Sequence, residues 1–251
     1  MKVSLPAIVR LIVLALLVAF VISPQSFAGL FEPLTKNGQP PIYTQNSLLD
    51  LALNHLGIVA VATIASTIVA VGLAILVTRP FGAEFLPLSR SLANIGQTFP
   101  PVAVLAIAVP LLGFGTAPTL VALFLYGLLP IFENALTGLT TLPPEVTEAA
   151  LGVGMTGSQR LLQVEMPLAL PVILAGIRLS VVVSVATATI GSTVAAHTLG
   201  EVIIAGLTTD NTAWVLEGGL IVAVFAVLIY DGLSALERLL TARRGGRLRT
   251  S

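Results

Sequence analysis

Apolar runs long enough to cross a lipid bilayer recur along this chain, separated by short polar, proline-bearing and glycine-bearing segments. About 20 apolar residues in a helix cross a hydrocarbon core of about 30 Å, and in lipid every backbone polar group must be paired within the protein. The runs cover residues 11–22, extendable through Phe31, then about 51–77, 99–112, 119–136, 172–194 and 216–236. Only 10% of the 251 residues are charged and 56% are hydrophobic, against about 25% charged in an ordinary soluble domain. The chain is expected to be all-α and polytopic, with about six transmembrane helices.

The first run has two readings. Arg10, a short apolar core and Ser26-Phe27-Ala28 ahead of Gly29 have the form of a secretory signal. A retained span is the expectation, because more spans follow and the charge asymmetry works best with it. With a cytoplasmic N-terminus, six spans put residues 78–98, residues 140–171 and the C-terminal tail on one side. That side holds Lys2, Arg10, Arg79, Arg90, Arg160, Arg178, Arg238, Arg243, Arg244, Arg247 and Arg249, against Lys36 on the other. This is a strong positive-inside bias. The expected organisation is an N-terminal span and extracytoplasmic linker over residues 1–50, a membrane domain over 52–240 with a cytoplasmic loop at 140–171, and a basic cytoplasmic tail at 241–251.

Several chemistries are excluded. Without cysteine there is no disulfide, thiolate nucleophile or cysteine metal site, and His55 and His197 are isolated. No cofactor is expected. Net charge is zero and a basic stripe occurs only at the extreme C-terminus, which argues against nucleic acid as a partner. Membrane lipid is the expected surrounding.

The informative polar block is EAALGVGMTGSQRLLQVEMPLALP, residues 148–171, between two apolar runs. Irregular backbone of this kind must leave the lipid. Leu142-Pro143-Pro144-Glu145 is a helix-start signal, with proline in the first turn and acids at the positive helix end. That helix should run to about Leu151. Gly152, Gly154 and Gly157 then favour a bend. Thr156-x-x-Gln159 has the form of a capping box opening a second helix, SQRLLQVEM, expected to end near Pro167. Gly152-x-Gly154-x-x-Gly157 matches a dinucleotide fingerprint only formally, because it lacks the preceding strand and the later acidic residue. On the residues alone, the block is either a solvated amphipathic loop or an element that rests on a partner surface.

Glu148-Ala149-Ala150, three residues, Gly154, nine residues, then Val164-x-Met166-Pro167 resembles the EAA loop of ABC importer permeases, whose pattern is EAA, then Gly, then I-x-L-P. The resemblance implies a type I permease fold in the cell inner membrane, with Glu148, Ala149, Ala150, Gly154, Val164, Met166 and Pro167 coupling to a separate ATP-hydrolysing subunit. It also implies an extracytoplasmic substrate-binding protein and a second permease, either another copy or a paralogue. No Walker-type GxxxxGK[ST] occurs, so this chain is not the motor. GQTFPPVAVLAIAVPLLGFG, LYGLLPIFENALTGL, PLALPVILAGIR, TLGEVIIAGL and IYDGLSALERLL are similar to the osmoprotectant subgroup, which implies glycine betaine, choline or a related quaternary amine as cargo. Phe132-Glu133-Asn134 departs from the subgroup, where a basic residue is more usual than Glu133, and this weakens a charge pair there.

Inside the apolar runs, Thr63, Ser66 and Thr67, and again Ser180, Ser184, Thr187 and Gly191, recur at three or four residues. These stripes suit either a translocation path or close helix packing. Asn54, His55, Glu133, Asp231 and Glu237 fall near run ends, where interfacial solvation is expected. Glu201, Asp210, Asn211 and Trp214 are candidate docking contacts for a binding protein, against simple loop solvation. The competing class is a stand-alone ion-coupled secondary transporter. It calls for buried ionisable residues and inverted repeats, and neither is visible in the sequence. An intramembrane enzyme would need a histidine, aspartate or cysteine cluster that the sequence does not show.

Overall fold

The computed structural model describes residues 5–36 and 38–245. Lys2, Arg247 and Arg249 of the charge pattern lie outside the described residues. The described chain is built from α1 (Leu5–Ile22), α2 (Leu48–Val77), α3 (Leu86–Thr98), α4 (Pro101–Leu112), α5 (Thr116–Thr140), α6 (Pro144–Gly152), α7 (Gly157–Arg160), α8 (Met166–Thr187), α9 (Gly200–Thr208) and α10 (Thr212–Gly245), with short 3-10 turns between some of them.

Four stretches are helical, long and apolar enough to cross a membrane: Leu48–Val77, Thr116–Thr140, Gly157–Val194 and Thr212–Leu240. Two further bent pairs raise the number to six if each counts as one span. These pairs correct two sequence expectations. The first run does not continue straight through Phe31. It turns by 113° between Ile22 and Pro24, where the proline ring removes a helical N–H and cannot follow the preceding turn. The run at residues 99–112 is not a span by itself. It is the 12-residue α4, roughly 18 Å long at 1.5 Å per residue, set at 98° to the preceding helical stretch. Phe99 is extended there, with φ −100° and ψ 140°, as expected for a residue held ahead of proline. Residues 86–98, expected as part of a loop, form α3.

The chain divides into two compact units. The first comprises the described parts of Met1–Ala62, Pro101–Leu123 and Val182–Ile229. Here residues 35–46, read from sequence as linker, are fixed at many points. Lys36 Nζ pairs with Asp210 Oδ2 at 2.8 Å, Gln39 Nε2 donates to Thr209 O at 2.8 Å, and Asn211 Nδ2 donates to Pro40 O at 3.0 Å. Tyr43 gives its backbone N–H to Glu217 Oε2 at 2.9 Å and its hydroxyl to Glu201 Oε1 at 2.7 Å, where Asn46 Nδ2 also donates. Burial, and then the Glu201 carboxylate it faces, push the Tyr43 phenol above its ordinary value. The Tyr43 and Trp214 rings meet edge to face at 5.3 Å.

Asn211 and Trp214 are therefore interior, not docking contacts: they are 1% and 6% exposed, and Asn211 Oδ1 accepts from Ala213 N and Trp214 N at the start of α10. His55 is likewise not solvated. It is fully buried, and Nε2 donates to Val185 O at 2.9 Å.

The second unit comprises the described parts of Thr63–Pro100, Phe124–Val181 and Tyr230–Ser251. Its core joins Ala70 and Ala74 of α2, Ala93 of α3, Phe132 and Ala135 of α5, and Ala169 and Ile173 of α8. Small side chains let helix axes approach closely, which is the main source of packing energy where water no longer drives association. Phe132, fully buried, fills the space they leave.

Candidate functional site

The block at residues 148–171 lies in the second unit, and local chemistry dictates its shape. α6 starts on Pro144, with Glu145 in its first turn. It stops in a left-handed cap at Gly154, φ 78°, a conformation that costs an L-residue about 1–2 kcal/mol. Gly154 N–H returns to Leu151 O at 2.9 Å and Met155 N–H to Ala150 O at 3.1 Å, the pair of bonds that satisfies the last carbonyls of a helix. Thr156 then forms the expected reciprocal cap: Gln159 N–H donates to Thr156 Oγ1 at 3.3 Å, and Thr156 N–H donates to Gln159 Oε1 at 2.9 Å.

The second helix does not end near Pro167. After α7, residues Leu161–Glu165 widen into a π-helical turn, Met166 N–H bonds Leu161 O, and α8 runs on through Pro167 and Pro171 to Thr187. A wide turn of this kind absorbs the missing proline N–H and relieves the clash of its ring with the turn before it. Residues 157–194 thus run as one continuous stretch.

Glu148 and Ala149 are exposed, whereas Ala150 is buried within the chain itself. Val164, Met166 and Pro167 are half-buried, and Met166 packs on the core of the second unit together with Leu161. Leu151, Val153 and Leu162 are exposed at 54%, 76% and 68%. The loop therefore offers an acid, a small residue and three large apolar side chains outward, while its root is fixed inward.

That root holds a group the sequence motif did not single out. Glu165 is 6% exposed. Its Oε2 accepts from Arg79 Nη2 at 2.5 Å and its Oε1 from Arg160 Nε at 2.7 Å. Arg79 comes from the turn that closes α2, where Thr78 Oγ1 bonds Ala74 O and Ile75 O at 2.9 Å. A buried carboxylate gripped by two guanidinium groups is a strong, charge-assisted joint. The one sequence signal was position: Glu165 is the unassigned residue of Val164-x-Met166-Pro167.

Two other arginines of the charge pattern are also paired. Arg178 Nη1 reaches Glu237 Oε2 at 2.6 Å and Ser234 Oγ at 2.9 Å, with its guanidinium 4.9 Å from the Tyr230 ring centre. Tyr230, Ser234 and Glu237 lie on one face of α10, within the segment IYDGLSALERLL. Glu133 is corrected as well. It takes Arg90 in a bidentate pair, Nε–Oε1 at 2.6 Å and Nη2–Oε2 at 3.1 Å, so the charge pair doubted from sequence exists.

The polar stripes separate by burial. In the second unit, Ser66 and Ser180 are buried, and a methyl added at Gly127 of α5 would meet their Oγ atoms at 2.7 and 2.8 Å. Ser66 Oγ donates to Phe124 O at 2.9 Å. Thr63 is 7% exposed and Thr67 half-buried. In the first unit, Ser184 is 2% exposed and Thr187 half-buried.

Residues 70–245 match the family described as binding-protein-dependent transport system inner membrane component. The chain is 40% identical over 191 residues to the osmoprotectant import permease protein OsmY of Salmonella typhimurium, covering 76% of this chain and 80% of that protein. It is 37% identical over 203 residues to the choline transport system permease protein OpuBB of Bacillus subtilis, covering 80% and 92%. Among solved structures, it resembles the inward-facing MetNI methionine ABC transporter with a TM-score of 0.68 at 19% identity, over 77% of this chain and 95% of that one.

Proposed function

The chain belongs to the family of binding-protein-dependent transport system inner membrane components, and from that premise we propose that its cargo is an osmoprotectant: glycine betaine, choline or a related quaternary amine. The chain is a multi-pass inner-membrane permease subunit of an ABC importer. Transport permeases of this kind work with an ATP-hydrolysing subunit and a substrate-binding protein. The cargo assignment is supported by relatives named for osmoprotectant and choline transport that match over three quarters or more of the chain.

In this reading, the loop at residues 148–167 sits on the ATPase. Glu148 offers a charge-assisted contact, Ala149 permits close approach, and Gly154 sets the angle between α6 and α7, while Val164, Met166 and Pro167 join the loop to α8. Both termini are cytoplasmic, and a second permease, a copy or a paralogue, completes the pore. Thr63 and Thr67 in the second unit, and separately Ser184 and Thr187 in the first, are assigned to translocation, with Ser66 and Ser180 serving close packing within the second unit. Selection of the cargo falls to the binding protein, because aromatic residues for a cation cage are few.

The single observation that carries the coupling role is the capped loop that turns its acid, Glu148, and its apolar groups, Leu151, Val153 and Leu162, outward. Substituting Glu148 and Gly154, then measuring ATPase copurification and uptake, tests it. Uptake that persists unchanged with no ATPase present would overturn the import reading and restore the ion-coupled transporter, for which buried His55 and Glu217 supply one requirement. Thermal shift of the associated binding protein with betaine, choline, carnitine and proline tests the cargo. A response to none of them rejects the osmoprotectant assignment.

A further inference from the structure

We propose that Glu165 is the positioning residue that transmits movement of the coupling loop to α2, through Arg79, in parallel with the direct continuation of the loop into α8. This rests on the coupling role given above to residues 148–167.

The geometry supports the inference at each joint. Glu165 closes the π-helical turn, so it moves with the loop and with the start of α8 at once. Its neighbours Leu162 and Gln163 are exposed, but the wide turn carries Glu165 itself inward. One oxygen is held by Arg160 of α7, and the other by Arg79 at 2.5 Å. Arg79 is fastened to the end of α2: its N–H bonds Leu76 O at 3.1 Å, and its Nη2 donates to Thr78 Oγ1 at 3.3 Å. Loop, α8 and the end of α2 therefore meet on one carboxylate.

Plain packing does not require this arrangement. Leu161 and Met166 already rest on the core beside it, and replacing a buried ion pair by apolar residues of similar size is often neutral or stabilising. What charge adds is direction and resistance to slip. With two cations on one anion, a guanidinium that swings away gives up a charge-assisted bond to a carboxylate screened from water. A displacement of the loop then draws α2 with it.

The test uses the whole transporter, permease with ATPase and binding protein, reconstituted in lipid vesicles, with Glu165→Gln and Arg79→Gln. Both variants should retain the ATPase and hydrolyse ATP at a rate close to wild type. Substrate moved per ATP should fall by about tenfold, within the usual range of coupling between two sites. The double variant should be no worse than either single one, since each breaks the same joint. An unchanged ratio of uptake to hydrolysis in both variants overturns the proposal. So does a parallel fall of hydrolysis and uptake, or a failure of both variants to assemble, because the cluster would then serve docking or folding alone. Should one variant fail to assemble, the other carries the measurement. If the wild-type permease recruits no ATPase, the coupling reading itself fails, and that outcome is distinct from any of these.

Discussion

The backbone N–H of Tyr43 donates to Glu217 Oε2 at 2.9 Å, joining two residues 174 positions apart around a carboxylate fully screened from solvent. Glu217 Oε1 has no hydrogen-bond partner among the described residues. The carboxylate thus works as an acceptor that anchors residues 35–46, which read as part of an extracytoplasmic linker on sequence pattern alone. Glu217→Ala strands the Tyr43 N–H and should lower stability by about 1–3 kcal/mol. Glu217→Gln keeps an acceptor and should stay near wild type. Melting of the detergent-solubilised protein distinguishes them, and equal losses in both would show that the bond is not what Glu217 contributes.

Ser66 and Ser180 close on Gly127 so tightly that a methyl there would lie 2.7 and 2.8 Å from their Oγ atoms and 3.0 Å from Ser66 Cβ. Gly127→Ala should cost about 1–3 kcal/mol through overpacking. Adding Ser66→Gly should recover much of that loss, because it removes both the nearest oxygen and the Cβ. Lack of recovery, with uptake kinetics altered at unchanged stability, would move Ser66 from helix packing to the translocation path.

Local chemistry was legible in the sequence wherever a cap or turn is written within a few residues. Thr156-x-x-Gln159 and Gly154 specify their own geometry, and the structure follows them. Direction changes were not legible, because apolar runs carry no bearing. The bends after Ile22 and at Phe99 depend on how a proline's neighbours are packed. Pro167 looked like a stop because the π turn that accommodates it is invisible to pattern. Least legible were the tertiary pairs. Glu165 with Arg79 and Glu217 with Tyr43 span 86 and 174 residues, and nothing local announces either. Glu133 misled for the related reason that its partner, Arg90, sits on a helix the sequence presented as a loop.

Gly154 has φ 78° and open space where a Cβ would go, so a substitution there meets backbone strain without a clash. Gly154→Ala should cost about 1–2 kcal/mol at the bend. Gly154→Asn should cost less, since asparagine visits this conformation more readily. Uptake and ATPase copurification should fall in the same order, Gly above Asn above Ala. Equal behaviour of Asn and Ala would mean that the left-handed cap does not set the angle of the loop.

Arg178 satisfies three partners with one planar group: Glu237 Oε2 at 2.6 Å, Ser234 Oγ at 2.9 Å and the Tyr230 ring at 4.9 Å. A lysine supplies a point charge on a flexible stem and cannot reproduce the fork or the stacking. Arg178→Lys should therefore destabilise the second unit despite conserving charge, by about 1–3 kcal/mol for a charged hydrogen bond that is lost or badly made. Because Arg178 and Glu237 share one interaction, Arg178→Gln and Glu237→Gln should couple. Their combined effect should fall short of the sum by about 0.5–3 kcal/mol. A melting-temperature cycle in which the two effects simply add would show that α8 and α10 are held at this level by packing, with the ion pair incidental to it.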